Sequence, residues 1–175
     1  MRWLRKAAEQ GEADAQYNLG VSYENGEGVK QDHAKAVRRY RKAAEQGQAG
    51  AQSNLGVMYD HGEGVRQDHI EAARWYWKAA GQGEVDAQYN LGVMCKNGQG
   101  VKHGHVEAVR WLRKADDQGH AEYNLGAMYK NGQGVKQDYA EAVRWYRKAA
   151  EQGLVYAVSA LSLRTQSTIR GCCHK

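Results

Sequence analysis

A repeated tripeptide constrains the fold of this chain more than any other feature. NLG begins at Asn18, Asn54, Asn90 and Asn124, so it recurs at intervals of 36, 36 and 34 residues. A glycine-rich loop follows each copy, as NGEGVKQD, HGEGVRQD, NGQGVKHG and NGQGVKQD. A fixed period of this length is typical of stacked structural repeats, each of which contacts mainly its neighbours.

Each repeat is predicted to contain two amphipathic helices. Ala15, Leu19 and Tyr23 lie at i, i+4 and i+8 before a loop, and Ala72, Tyr76 and Ala80 show the same spacing after one. Proline and phenylalanine are both absent, so apolar packing falls to Ala, Leu, Val, Met, Tyr and Trp, a set that favours helices over sheet. Hairpins of this size cannot bury their apolar faces alone. They are therefore predicted to stack into an all-α solenoid.

The glycine-rich loop has two interpretations. A glycine loop before a helix can present backbone N–H groups to a phosphate, but no copy extends to the G-x-x-x-x-G-K-[ST] pattern. The loop also fits a turn, in which a left-handed glycine ends the first helix and an N-cap begins the second. The residues predicted for these two roles are Gly26, Gly62, Gly98 and Gly132, then Asp32, Asp68, Gly104 and Asp138. The turn is the favoured interpretation.

The full pattern resembles a known repeat. A-x-x-x-L-G-x-x-Y-x-x-G-x-G-V followed by D-x-x-x-A-x-x-W-Y-x-K-A-A-x-x-G is similar to the Sel-one-like repeat, a relative of the tetratricopeptide repeat, over residues 1 to about 153. The resemblance implies a right-handed α/α superhelical solenoid of about four 36-residue helical hairpins. It also implies a non-enzymatic scaffold or adaptor for a protein or peptide, as in many bacterial members, and it indicates no substrate.

The repeat boundaries follow from the pattern. They predict a partial repeat at 1–11, full repeats at 12–47, 48–83, 84–119 and 120–153, and a capping helix with a tail at 154–175. The fourth repeat is two residues short, which is expected to shorten its first helix. Asp116 replaces an alanine just before it, so an irregular junction with the third repeat is predicted. Cys95 stands at a tyrosine position and is expected to leave a packing defect, and Arg39 stands at a tryptophan position.

The resemblance places the first helices on the concave wall of the solenoid. The residues expected on this wall are Tyr17, Asn18, Val21, Glu24, Ser53, Asn54, Val57, Asp60, Tyr89, Asn90, Val93, Lys96, Tyr123, Asn124, Ala127 and Lys130. Asparagine amides both donate and accept, which suits the backbone of an extended peptide, and tyrosine rings suit its side chains. The last position of this set in each repeat changes from acidic to basic along the chain, as Glu24, Asp60, Lys96 and Lys130. Such a change would orient a polar peptide along the wall. Duplicated residues also repeat without binding anything, so this ladder is a hypothesis.

The second helices suggest an alternative from another class. They carry a basic strip composed of Arg38, Lys42, Arg74, Lys78, Arg110, Lys114, Arg144 and Lys148, interrupted by Trp77. With a formal charge of +5, such a strip could bind nucleic acid or another polyanion. Glu71, Glu107 and Glu141 offer i to i+3 pairing within the same helices. A solvated face is therefore favoured, and nucleic acid is not the expected partner.

Catalytic and metal chemistry have little support in the sequence. No serine, cysteine or carboxylate stands in a triad or dyad pattern, so neither an enzyme nor a cofactor is expected. His33, His69 and His105 recur on separate repeats, whose helices should lie about 8 to 10 Å apart. One ion cannot bridge that spacing with bonds of about 2 Å. The odd count of three cysteines, with Cys172 and Cys173 adjacent in the tail, is no disulfide framework.

The ends of the chain leave its compartment open. No apolar run approaches the roughly 20 residues of a membrane span, and the first residues lack the apolar core of a signal peptide. A reducing compartment such as the cytoplasm is slightly favoured, and an exported parent protein is the alternative if the chain is a fragment. An apolar stripe of the partial repeat is expected to lack its cover and to promote self-association. It consists of Trp3, Leu4, Ala7 and Ala8.

Overall fold

The computed structural model describes residues 1–102, 104–115 and 119–161. These residues form α-helices joined by short turns, and the described ranges contain no β-strand. The predicted all-α class is therefore confirmed. The chain divides into two compact units, Met1–His103 and Gly104–Lys175.

The helices alternate between two roles. Unit 1 contains α1 (Arg2–Glu9), α2 (Ala13–Asn25), α3 (His33–Glu45), α4 (Ala49–His61), α5 (His69–Gly81) and α6 (Val85–Asn97). Unit 2 contains α7 (His105–Lys114), α8 (Gly119–Asn131) and α9 (Tyr139–Glu151), and residues 155–161 are also helical. We call α2, α4, α6 and α8 the first helices of repeats 1 to 4, and α3, α5, α7 and α9 the second helices. Each of the pairs α2 with α3, α4 with α5 and α8 with α9 packs as a hairpin.

The loop between the helices of a hairpin is a turn, as predicted. In repeat 2, Gly62 adopts φ 74° and its N–H bonds the Met58 carbonyl at 2.9 Å, which ends α4 in the left-handed conformation. Asp68 then begins α5, because its carboxylate accepts hydrogen bonds from the backbone N–H groups of Ile70 and Glu71 at 3.0 and 3.1 Å. Repeats 1 and 4 use Asp32 and Asp138 in the same way, and Gly104 begins α7 without a side-chain bond.

The second glycine of the loop packs against the preceding repeat. A Cβ atom on Gly64 would lie 2.3 Å from the carbonyl carbon of His33, and one on Gly100 would lie 1.9 Å from the carbonyl oxygen of His69. Both glycines also have positive φ values, of 67° and 64°. The loop backbone therefore lies directly on the first turn of the preceding second helix. This contact explains the glycine pair without a bound phosphate.

A third glycine makes room for a tyrosine within each of three hairpins. A Cβ atom on Gly56 in α4 would lie 2.7 Å from ring atoms of Tyr76 in α5, which is closer than side chains tolerate. The equivalent pairs are Gly20 with Tyr40 at 2.6 Å and Gly126 with Tyr146 at 2.7 Å. In the LG dipeptide of the motif, the leucine is therefore buried in the core, and the glycine leaves space for the ring of a tyrosine from the second helix.

The fourth repeat corrects one expectation. Helix α8 has 13 residues, the same length as α2 and α4, so the missing residues do not shorten it. The shorter helix is α7, with 10 residues, whereas α5 and α9 have 13. The apolar stripe of α8 is complete, because Ala121, Leu125 and Met128 are all buried. Asp116, Cys172 and Cys173 lie outside the described residues.

The N-terminal stripe is more covered than predicted. Ala8 is fully buried in a cluster with Ala15 and Leu19 of α2, and Leu4 and Ala7 pack partly against that cluster. The expectation that the whole stripe lacks a partner was therefore wrong, because α2 supplies one. Trp3 and Leu4 still match the expectation of incomplete cover, because 80% of the Trp3 surface is exposed and Leu4 is half-buried.

Candidate ligand-binding surface

The predicted wall residues of unit 1 lie on α2, α4 and α6, and we call this surface the first-helix face. Asn18 is exposed, and Asn54, Asn90 and Lys96 are half-buried, so each of these polar side chains remains accessible in part. Ser53 is a correction, because it is only 5% exposed and lies in the packed interior. Val21 is half-buried and packs against the core of repeats 1 and 2, whose members include Ala51 and Leu55.

A buried tyrosine holds two of the predicted residues in place. The Tyr40 hydroxyl donates a hydrogen bond to the Glu24 carboxylate of repeat 1, and the Asn54 side chain of repeat 2 contacts that hydroxyl. Burial raises the pKa of Tyr40 well above its ordinary value, and the bond to Glu24 raises it further. The hydroxyl therefore keeps its proton at neutral pH and connects side chains of two neighbouring first helices.

Asp60 is held by a different partner. Its carboxylate lies 2.7 Å from Nδ1 of His69, the first residue of α5. Burial raises the pKa of Tyr76, and the negative charge of Asp60 adds to the effect. The acidic position at the end of each of these two first helices is thus fixed by a contact inside the protein, which the wall prediction did not include.

The tyrosines of the predicted wall also take part in packing. The Tyr17 ring lies 5.9 Å from the Tyr40 ring, and a Cβ atom on Gly50 would lie 3.3 Å from its Cζ atom. Burial raises the pKa of Tyr17, and the carboxylates of Glu84 and Glu24 raise it further. Tyr17 is half-buried, so its side chain contributes to packing and remains partly accessible to solvent.

Unit 2 repeats the arrangement with its own contacts. The Tyr123 ring lies 5.3 Å from Tyr146 and meets Tyr156 edge to face at 4.8 Å. The Asn124 amide donates to the His120 carbonyl at 2.9 Å, and Lys130 is exposed. Val57, Tyr89, Val93 and Ala127 of the predicted wall are half-buried in their respective units.

Sequence reasoning missed Tyr40, Tyr76 and Tyr146 as supports of this surface. A signal for them exists, because each follows the glycine of an LG dipeptide by 20 residues. The period alone could not assign the hydroxyl bonds, which depend on how one hairpin sits beside the next.

The arginines of the basic strip are paired with glutamates in repeats 2 to 4. Arg74 donates to Glu71 at 3.3 Å, and the pairs Arg110 with Glu107 and Arg144 with Glu141 are the same bond at 3.3 and 3.4 Å. Lys78 lies 4.1 Å from the centre of the Trp75 ring. Trp77 is 51% exposed and lines a surface cavity with Arg74 and Lys78, as its position beside these cations predicted.

Within the described ranges, no group of three or more His, Cys, Asp or Glu side chains could hold a metal ion. His33 and His69 instead lie beside single carboxylates, at 4.0 Å from Glu63 and 2.7 Å from Asp60. Among the described residues, no helix has the length and apolar character needed to span a membrane.

Comparison with known proteins assigns the repeat. The sequence profile of the Sel1 repeat matches residues 1–12, 13–48, 49–84, 85–120 and 119–154. The chain belongs to the Sel1 repeat family. Sel1 repeat proteins are protein-interaction scaffolds, and the repeat itself is non-catalytic.

Solved structures of several bacterial proteins are similar to this chain. A protective antigen of uropathogenic Escherichia coli with an SLR fold is 44% identical, with a TM-score of 0.90 over 92% of this chain and 35% of its own. A Sel1 repeat protein from Oxalobacter formigenes is 38% identical, with a TM-score of 0.81 over 87% of this chain and 63% of its own. Cysteine-rich protein B of Helicobacter pylori is 30% identical, with a TM-score of 0.51 over 65% of this chain and 81% of its own.

This Sel1 repeat chain spans less than two thirds of the length of the first two relatives. No curated protein sequence gives a significant match. The relatives named above are all bacterial.

Proposed function

We propose that this protein is a non-enzymatic scaffold that binds an extended protein segment on the first-helix face of unit 1. The bond from Tyr40 to Glu24 and its contact with Asn54 carry this proposal, because they hold polar groups of two adjacent repeats in one geometry. A surface that is fixed before binding loses less conformational entropy when a ligand docks.

The asparagines of the first-helix face differ in whether their side chains already contact another residue of the protein. Asn18 is exposed on α2, and its side chain is accessible to a ligand backbone. Asn54 contacts the Tyr40 hydroxyl, so its remaining hydrogen-bonding capacity is directed by the fold. An extended peptide would meet both kinds of amide along the face, with Asn90 continuing the series on α6.

The charges of unit 1 give the face a direction. Glu24 and Asp60 are acidic, and Lys96 at the equivalent position of α6 is basic. A peptide with a basic segment and an acidic segment would therefore bind in one orientation. Asn124, Tyr123 and Lys130 form the corresponding surface of unit 2.

The test begins with a partner obtained by peptide display on the whole chain. Asn18→Ala and Asn90→Ala should each weaken its binding by about 0.5 to 1.5 kcal/mol in calorimetry. Exchange of the charges at Asp60 and Lys96 should change which peptides are selected. A matched control, Arg74→Ala with Lys78→Ala on α5, should leave the affinity unchanged.

Binding of a polyanion to the basic strip is the competing function. The ion pairs of Arg74, Arg110 and Arg144 reduce the charge available to it. If only the control variant weakened binding, and if log affinity fell steeply with log salt, the strip would be the binding site. The first-helix face would then be the wrong assignment.

Self-association is a further proposal for this protein. Trp3 is mostly exposed on α1, with the Lys6 ammonium 5.9 Å from its ring centre. We expect a weak dimer at high concentration that Trp3→Glu abolishes in sedimentation. A parent protein that stays monomeric would contradict it.

A further inference from the structure

Repeat 1 contains a cationic pocket that is built differently from the same region of the other repeats. A cavity of about 300 Å³ lies between α2 and α3, and its lining residues are Tyr23, Lys35, Arg38, Arg39 and Lys42. The four cations follow the spacing i, i+3, i+4 and i+7, so they share one face of α3. We call this cavity the repeat 1 pocket.

The first cause of the pocket is a reversed charge. Lys35 stands at the position that is Glu71, Glu107 and Glu141 in the other repeats. In repeat 2 that glutamate accepts a hydrogen bond from Arg74 at 3.3 Å. The equivalent arginine of repeat 1, Arg38, has Lys35 at this offset instead of a carboxylate. Arg38 therefore loses the ion pair that neutralises the arginines of the other repeats.

The second cause is the loss of an indole. Arg39 stands where the other repeats have Trp75, Trp111 and Trp145. In repeat 2 the Trp75 ring is largely buried and lies 4.1 Å beneath the Lys78 ammonium. Lys42, at the position of Lys78, has no indole under it. Because Arg39 stands in place of the indole ring, repeat 1 has a cavity lined by cations at this position.

The wall of the pocket is held in place. The Arg39 guanidinium donates to the side-chain carbonyl of Gln16 at 3.3 Å, and Gln16 is itself buried and donates to the Ala8 carbonyl. This chain of bonds positions the guanidinium from below. The Lys35 ammonium lies 5.5 Å from the centre of the Tyr23 ring, which forms the opposite wall.

The pocket keeps a positive charge after its own pairing is counted. Lys35 pairs with Asp32 at 2.9 Å, and bonds to Lys35 lower the pKa of the Asp32 carboxyl, with a smaller effect from Arg38. The four lining cations together with this one carboxylate carry a net charge of +3. Such a charge suits a dianion better than a single carboxylate.

We propose that the repeat 1 pocket binds a phosphoryl group, either of a small phosphate ester or of a phosphorylated side chain. Arginine forks match phosphate oxygens in pairs, and Arg38 and Arg39 supply two of them beside two lysines. The cavity volume lies at the lower end of the range for small-molecule sites, which fits a phosphoryl group with a short substituent. This site is independent of the first-helix face.

The experiment uses the internal repeats as its reference. Inorganic phosphate, O-phosphoserine and acetate are titrated into the whole chain at constant ionic strength, and binding is followed by NMR shifts of the Tyr23 ring and by calorimetry. Lys35→Glu with Arg39→Trp gives repeat 1 the residues that the other repeats already carry. Arg74→Glu with Lys78→Met makes the same change in charge in repeat 2 and is the matched control.

The expected result is saturable binding of phosphate, at least about tenfold weaker in the repeat 1 variant and within about twofold of the parent in the control. Acetate should bind at least about tenfold more weakly than phosphate. O-phosphoserine should bind at least as tightly as inorganic phosphate, because the pocket is proposed to accept a substituted phosphoryl group. Weaker binding of O-phosphoserine than of inorganic phosphate would contradict the proposal.

Three further results would overturn the proposal. The first is the absence of saturable phosphate binding, and the second is equal binding of acetate and phosphate. The third is equal weakening in both variants, which would show that only the overall charge matters. Circular dichroism checks that the variants fold. If the repeat 1 variant does not fold, Arg38→Gln replaces it, and undiminished phosphate binding by Arg38→Gln would also refute the site.

Discussion

Repeats 2 and 4 have different polar side chains at one buried position, and these side chains are satisfied by different partners. Gln52 in α4 and Glu122 in α8 occupy the same place in the motif, and both are buried. The Gln52 amide donates to the Ala44 carbonyl at 3.0 Å and accepts from Gln82 at 2.8 Å, so both ends are satisfied. The Glu122 carboxylate cannot donate, and it accepts a bond from Gln152 at 3.1 Å.

The carboxylate changes the position of a neighbouring lysine. The Lys148 ammonium lies 3.0 Å from Glu122 and 5.9 Å from the centre of the Trp145 ring. Its counterpart Lys78 lies 4.1 Å from the Trp75 ring. The motif therefore tolerates a buried charge because it already places a cation one turn from the indole. The Gln52 amide needs no cation beside it. Replacing the equivalent lysine in each repeat is therefore expected to destabilise repeat 4 more than repeat 2.

Lys148→Met should have the largest effect. It leaves the fully buried Glu122 without its cation and should lower the free energy of unfolding by about 2 to 4 kcal/mol, somewhat less than for a fully enclosed pair. Lys78→Met in repeat 2 removes only a cation–π contact and should cost at most about 1 kcal/mol. Urea denaturation measures both.

A rescue variant checks the cause of this difference. Glu122→Gln in the Lys148→Met background should recover most of the lost stability, because it restores the amide found in repeat 2. Equal losses for the two lysine variants, or no recovery, would show that the buried carboxylate does not depend on Lys148.

Gly56→Ala and Gly126→Ala test what the two repeats share. Each added methyl group meets a tyrosine ring at 2.7 Å, and each should destabilise by about 1 to 3 kcal/mol. Gly81→Ala is the control, because nothing lies within 4 Å of its added Cβ and alanine favours the helix. It should be neutral or stabilising in a thermal melt. A mild effect at Gly56 would argue against the packing of Tyr76.

Alkaline pH should distinguish the two tyrosines. Burial raises the pKa of Tyr76, with a contribution from Asp60, and raises that of Tyr146, with a contribution from Tyr123. A raised pKa means that the folded state holds the proton more tightly. This stability is fully present below about pH 10 and is lost above it, by up to about 1.4 kcal/mol per pH unit for each group.

The contribution of each tyrosine to the loss of stability at alkaline pH is measured by denaturation of Tyr76→Phe and Tyr146→Phe at increasing pH. Tyr76→Phe should remove more of the alkaline loss than Tyr146→Phe, because the pKa of Tyr76 is shifted further. Unchanged pH dependence in Tyr76→Phe would mean that another group titrates.

The smallest effect on stability is expected from an arginine–tyrosine pair that connects the second helix of one repeat to the first helix of the next. Arg41 lies 6.0 Å from the Tyr59 ring centre and bonds its hydroxyl, and Arg113 meets Tyr129 in the same way at 5.8 Å. The equivalent positions between repeats 2 and 3 hold Trp77 and Cys95, a larger side chain facing a smaller one.

Trp77→Arg together with Cys95→Tyr should restore the pair found elsewhere. The double variant is expected to be about 0.5 kcal/mol more stable than the sum of the single variants. A double-mutant cycle by urea denaturation measures this coupling. Additive single effects would mean that the two positions do not interact.

Local rules in the sequence were enough for the hairpins. The positive φ of Gly62 and the carboxylate cap of Asp68 depend only on residues within one loop, and both were predicted. The predicted all-α class also follows from the apolar spacing within each helix. The shortening of α7 was not predicted, because the place where two missing residues are absorbed depends on which helix keeps its core contacts.

The sequence by itself determined the period, the helices, the turns and the family of this protein, because these depend on residues close together in the chain and on their repetition. The tertiary structure decided which surface groups already have partners. The bond of Tyr40 to Glu24, its contact with Asn54 and the burial of Ser53 depend on the register between helices. A repeated pattern places equivalent residues at equivalent heights, but only packing determines which of them face solvent.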